Sequence, residues 1–125
     1  AASAFAADFT VKIELKNVGV GAGKVMVSIS DSEAGYKASK PLKWMALDAT
    51  AETLTVTETL AAGDYVVSAY QDVNGNGKLD TNILGIPKEP VGISNYSGKG
   101  IPGGFKELKT SVDKDLTMTV EMKKI

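Results

Sequence analysis

Oxygen-bearing side chains recur at alternate positions in Asp72-Val73-Asn74-Gly75-Asn76-Gly77-Lys78-Leu79-Asp80. A chain that coils around a hard cation turns every second residue inward, which is how an EF-hand-type loop delivers its ligands. Counting Asp72 as the first position, Asn74 is third and Asn76 fifth. Gly77 is sixth, where the sharp turn demands a positive φ that glycine adopts at little cost. Lys78 at the seventh position offers its backbone carbonyl. Leu79 at the eighth is apolar and can anchor the loop. Asp80 at the ninth can ligate directly or through water. The expected metal ligands are therefore Asp72, Asn74, Asn76, Lys78 and Asp80, and the expected ion is calcium. Magnesium fits less well, because it demands a tighter octahedron and keeps its waters.

The pattern breaks at the twelfth position, where such a loop carries a bidentate glutamate. Ile83 stands there. A carboxylate from further along can replace it, and Glu89 is the nearest downstream. With few charged ligands, binding is expected to be weak, in the roughly 10⁻⁴–10⁻³ M range of extracellular modules. An ion-free turn is the competing reading. Asn74-Gly75 and Asn76-Gly77 are both hairpin-turn dipeptides, and Asp, Asn and Gly crowd ordinary turns for local backbone reasons. Five matching positions and an apolar eighth are more than a turn requires, which favours the cation.

Strands must carry this loop. Asp8 to Val18 alternates, with Phe9, Val11, Ile13 and Leu15 on one face and Thr10, Lys12, Glu14 and Lys16 on the other, the period of a half-buried strand. Val25, Val27 and Ile29 mark a second strand over Lys24 to Ser30. Between them lies Val18-Gly19-Val20-Gly21-Ala22-Gly23-Lys24. Its spacing is wrong for a phosphate-binding loop and no Ser or Thr follows the lysine, so it reads as a flexible turn. Asp31 to Lys40 is polar and loop-like. Pro41 to Leu47 holds the single tryptophan, Trp44, expected to pack at the sandwich edge; exposed, it would offer a face to a sugar ring. Glu52 to Leu60 alternates again. Tyr65 to Tyr70 is strongly β-prone and leads straight into Asp72.

From Gln71 to Gly104 the texture changes. Eight of the 13 glycines and three of the four prolines fall here. A connection this long inside a domain is functional or pinned by something other than a ladder, and a cation near its start would pin it. Val91-Gly92-Ile93 and Ile83 to Ile86 read as short strand pieces within it. Asn95-Tyr96-Ser97 matches a glycosylation sequon, which would carry no weight in a bacterial protein. Phe105 to Ser111 returns toward order. Leu116, Met118, Val120 and Met122 share one face of a closing strand over Lys114 to Lys123.

With 125 residues and 43% hydrophobic content, the chain fits one domain. The expected division is a tail over 1–7 and a single domain over 8–125 with a long loop over 71–104. There is no cysteine, hence no disulfide and no thiolate metal site. There is no histidine, the commonest general base and zinc ligand. All 14 basic residues are lysines, and the net charge is −1, which argues against nucleic-acid binding. No apolar run approaches the ~20 residues of a membrane span. Ala4-Phe5-Ala6 fits the small-x-small rule of an export-signal cleavage site. An ordinary nucleophilic triad is closed without His or Cys. A glycosidase needs only two carboxylates, but no recognisable pair stands in the sequence. No catalytic residue is expected.

Tyr70-Gln71-Asp72-Val73-Asn74-Gly75-Asn76-Gly77-Lys78-Leu79-Asp80, then Leu84-Gly85-Ile86-Pro87-Lys88-Glu89-Pro90 and Gly92-Ile93-Ser94-Asn95, resemble the uncharacterised bacterial secreted family DUF2141. Pro102-Gly103-Gly104-Phe105 is similar to that family's segment before its next strand. The resemblance covers Asp8 to Ile125 and implies an exported β-sandwich. The loop is also similar to calcium loops in the B repeats of Gram-positive surface adhesins, which have a transthyretin-like sandwich and a carboxylate where Ile83 stands. The expected fold is all-β, an antiparallel β-sandwich of six to seven strands, transthyretin/immunoglobulin-like. The expected function is an exported, non-enzymatic module, periplasmic or extracellular, that binds a surface protein or a glycan or serves as a structural unit. The alternative is a periplasmic carrier of a small sugar or lipid.

Overall fold

A computed structural model describes residues 8–79, 87–99 and 102–124. The Ala-rich tail over 1–7 and the segment over 80–86 lie outside the described residues.

Among the described residues, eight strands and two short helices form in the order β1 (Asp8–Lys16), β2 (Lys24–Ser30), α1 (Glu33–Lys37), β3 (Lys43–Leu47), β4 (Leu54–Ala61), β5 (Gly63–Asp72), β6 (Val91–Ile93), α2 (Phe105–Leu108), β7 (Thr110–Val112) and β8 (Leu116–Glu121). They make two sheets. One has the order β4-β1-β8; the other has β3-β2-β5-β6, with β7 paired to β5. The all-β sandwich expected from the alternating sequence is what forms. Two strands of three residues each, β6 and β7, raise the number above six or seven. One pairing departs from an antiparallel plan: β1 and β8 run parallel, Ile13 opposite Met118.

The core lies where the alternation puts it. Val11, Ile13 and Leu15 of β1 meet Val25, Val27 and Ile29 of β2, Val67 and Ala69 of β5, and Met118 and Val120 of β8. Each such aliphatic side chain contributes about 1.5–3 kcal/mol when fully buried. The opposite face of the first sheet, with Lys12, Glu14, Thr55, Thr57, Thr117 and Thr119, is polar and mostly exposed.

A second, smaller apolar cluster covers part of the outer face of the other sheet. Val66 packs there with Phe105 and Leu108 of α2, and Tyr36, Ile93 and Tyr96 close around it. Asp31 to Lys40, expected as loop, holds α1, which begins at Ser32, whose Oγ accepts from Gly35 N at 3.0 Å. Asn95 has an unforeseen job. At φ 58°, a conformation asparagine tolerates better than most residues, its Nδ2 donates to the carbonyls of Leu108 and Lys109 and to Thr110 Oγ1. It ties the end of α2 to the turn after β6.

Trp44 corrects the sequence expectation. It is not packed at the sandwich edge: it is 67% exposed. It sits on β3 opposite Ser28, on the outer face of the sheet, where neither α1 nor α2 covers it.

Candidate metal centre

β5 carries Asp72 as its last residue. Tyr65, Val67 and Ala69 enter the sandwich core while Val66 on the other face packs against Phe105 and Leu108 of α2, so β5 is held from both sides. Lys24 of β2 stands opposite Asp72 in register, yet its ammonium pairs with Asp48 at 3.4 Å. None of the ion pairs among the described residues includes Asp72. Gly23 precedes Lys24 at φ +126°, and a Cβ there would run into the Asp72 carbonyl. The glycine turn before β2 is thus required for β2 to approach the loop.

Gln71, which the sequence did not single out, locks this turn. Its Nε2 donates to the carbonyls of Gly19 at 2.6 Å and Gly23 at 2.9 Å, and its Oε1 accepts from Gly19 N at 3.0 Å. Gln71 is fully buried. A buried amide with matched partners fixes the two chain segments relative to each other, since leaving any of these groups unmade is costly.

Gly75 and Gly77 take φ 72° and 77°, as the turn requires of them. Asp72 Oδ2 accepts from Gly77 N at 2.8 Å. Asn74 Oδ1 accepts from Asn76 N, and Asn76 Oδ1 from Lys78 N. Tyr70 Oη donates to the Gly77 carbonyl at 3.1 Å. The structure therefore brings Asp72, Asn74, Asn76 and Lys78 into one loop, with the Asp72 side chain turned toward its interior. Asp80 and Ile83 lie outside the described residues.

Asp72 is 6% exposed. Its Oδ1 is buried and has no hydrogen-bond partner. Glu89 approaches from the far end of the crossing. It is 4% exposed, and its Oε2 accepts from Val73 N at 2.7 Å. Two buried carboxylates thus serve this loop, Asp72 accepting from Gly77 N and Glu89 from Val73 N. The pairing that delivers Glu89 is short and well fixed. Gln71 N donates to the Pro90 carbonyl, and Val91 exchanges backbone bonds with Lys123 beyond β8. Gly92 lies where a Cβ would stand 2.7 Å from Val120 Cγ1, so only glycine lets β6 lie this close to β8. No group of three or more acidic, histidine or cysteine side chains suited to a metal occurs among the described residues. Asp72 and Glu89 are two, and the remaining oxygens here are amide and backbone.

A groove of about 310 Å³ adjoins the loop on the outer face of the β3-β2-β5 sheet. Met26, Ser28 and Tyr70 line it together with Pro41, Trp44 and, from the loop, Gly77.

The model of a bacterial family, described as "Uncharacterized protein conserved in bacteria (DUF2141)", matches residues 13–120. No curated protein and no solved structure matches the chain.

Proposed function

The chain belongs to the uncharacterised bacterial family DUF2141, and we propose that it is an exported, non-enzymatic β-sandwich module whose long crossing is ordered by calcium. It acts in the periplasm or at the cell surface, as a binding or structural unit. The observation that carries this reading is the buried, unpartnered Oδ1 of Asp72. A carboxylate oxygen removed from water without a donor is costly, and such groups are found paired or coordinating a metal. An ion in the loop gives that oxygen its partner. Asn74, Asn76, the Lys78 carbonyl and Asp80 supply further oxygens. An oxygen-only set with flexible backbone suits calcium better than magnesium or zinc. The weak affinity expected of such a loop matches an environment outside the cytoplasm, where calcium is plentiful.

The test is a pair of thermal melts of the whole chain, one in calcium and one in chelator. At calcium near a hundredfold excess over Kd, binding to the native state alone adds about 2.7 kcal/mol. For a domain of this size that is a rise of roughly 8–16 °C in Tm. Coincident midpoints refute the reading and leave an ion-free turn.

A second reading, a carrier of a small sugar, is favoured by one observation, the exposed Trp44 beside the groove. The lining is uncharged and mixes an aromatic face with the hydroxyls of Ser28 and Tyr70, which is the chemistry that meets a sugar ring. The site is on the outer face of a sheet, not between the sheets. Because Trp44 is the single tryptophan, its fluorescence reports this site alone. Emission that stays constant through titrations with neutral mono- and disaccharides rules this reading out.

A further inference from the structure

We infer that Glu89 is the second carboxylate ligand of the loop cation, and that the ion therefore joins the end of β5 to the residue pair leading into β6. This rests on the calcium reading and adds to it the ligand that Ile83 leaves missing. Three independent features converge. Glu89 is 4% exposed although Pro87, Lys88 and Pro90 surround it in a short irregular stretch. A glutamate there has every opportunity to face water, yet its carboxyl group turns inward to the loop. Its Oε2 accepts from Val73 N at 2.7 Å across 16 residues of sequence, which sets its carboxyl group beside the residue that follows Asp72. And Asp72 Oδ1, on the neighbouring residue, is buried without a donor while Oδ2 is fixed on Gly77 N.

Two like charges held close together in a low-dielectric site repel. A divalent cation between them reverses the sign of that interaction. The hydrogen bond from Val73 N orients the Glu89 carboxylate, as a backbone amide commonly does for a metal-bound carboxylate. The anchoring of Glu89 is separate from that of Asp72: Pro90 accepts from Gln71 N, and Val91 is paired with both Tyr70 and Lys123. Ligands held by two independently fixed segments cannot draw in to the short, regular octahedron of magnesium, so the site selects a calcium-sized ion.

The experiment is calorimetric titration of the full chain with calcium chloride and, separately, with magnesium chloride. Wild type is compared with Glu89→Gln, Glu89→Asp and Glu33→Gln. Glu89→Gln keeps an oxygen for Val73 N and removes the charge. Glu89→Asp keeps the charge and retracts it. Glu33 is the first residue of α1, which packs against β2 and α2. Circular dichroism verifies that each variant is folded. The inference expects Glu89→Gln to weaken calcium binding by at least about tenfold, the scale on which even outer partners of a metal act. It expects Glu89→Asp to fall between Glu89→Gln and wild type, and Glu33→Gln to match wild type. Wild-type binding with an unchanged Glu89→Gln affinity overturns the role of Glu89 and leaves the calcium loop standing. Absence of calcium binding by wild type overturns both.

Discussion

Removing the charge of Asp72 without changing its size should reverse the stability order of two proteins when calcium is added. In chelator, wild type carries a carboxylate whose Oδ1 is buried and unpartnered. An unsatisfied buried polar group costs about 1–3 kcal/mol, more when charged. Asp72→Asn keeps one oxygen to accept from Gly77 N, now made by Asp72 Oδ2 at 2.8 Å. It deletes the negative charge of a buried side chain. In chelator the variant should therefore be more stable than wild type, by about 1–2 kcal/mol. In calcium at a hundredfold excess over Kd, wild type gains about 2.7 kcal/mol and the variant gains little. The difference between those figures leaves wild type ahead by roughly 1 kcal/mol. Urea unfolding of both proteins in both buffers measures all four free energies, and an unchanged m-value certifies that the same transition is followed. An ordinary turn aspartate behaves otherwise: the variant loses stability in chelator, because its side chain served only the turn, and calcium moves neither protein. Either of those results refutes the reasoning.

Two further predictions concern what holds the site in place. Gln71→Leu preserves volume but strands the Gly19 amide and the carbonyls of Gly19 and Gly23, so it should cost about 2–4 kcal/mol in urea unfolding; a loss below about 1 kcal/mol would mean that the turn before β2 does not depend on it. Asp64 is half-buried, and the Lys109 ammonium and Ser111 hydroxyl bonded to it hold its carboxyl below the ordinary value of 3.8. Because the folded value lies below the unfolded one, its contribution is complete above the ordinary carboxylate range and fades as pH falls through the folded value. Asp64→Asn should therefore flatten the acid limb of stability against pH; equal slopes in variant and wild type would remove Asp64 from the account.

Period-two alternation made most of the sandwich legible, because a strand with one buried face must alternate. β1, β2 and β8 follow Val11, Ile13 and Leu15, Val25, Val27 and Ile29, and Met118 and Val120. The partners of those strands were not legible. Nothing in Leu116–Glu121 says that it lies parallel to β1, because a buried face is equally satisfied by either direction. Trp44 misled because aromatic residues are usually buried; on β3, the strand at the end of its sheet, the outer face has no covering element to bury it. Asn95 looked like part of a sequon, but its amide serves three acceptors near the end of α2, a contact 13 to 15 residues away that no local pattern encodes.

The loop divides along the same line. Alternating oxygens and a glycine at the sixth position are local properties, and they could be read from Asp72 to Lys78. The second carboxylate is not local. Glu89 reaches Val73 because Pro90 is held by Gln71, because Val91 is held by Lys123, and because Gly92 has no Cβ to keep β6 away from Val120. Each of those three constraints belongs to the sandwich, not to the loop. The dependence also runs the other way. β6 is three residues long, and so short a strand is weak by itself. The hydrogen bond from Val73 N to Glu89 ties the start of that strand to the residues after β5. The loop and the strand that completes it thus depend on one another, and a change that frees either end, at Gly92 or at Asp72, should loosen both.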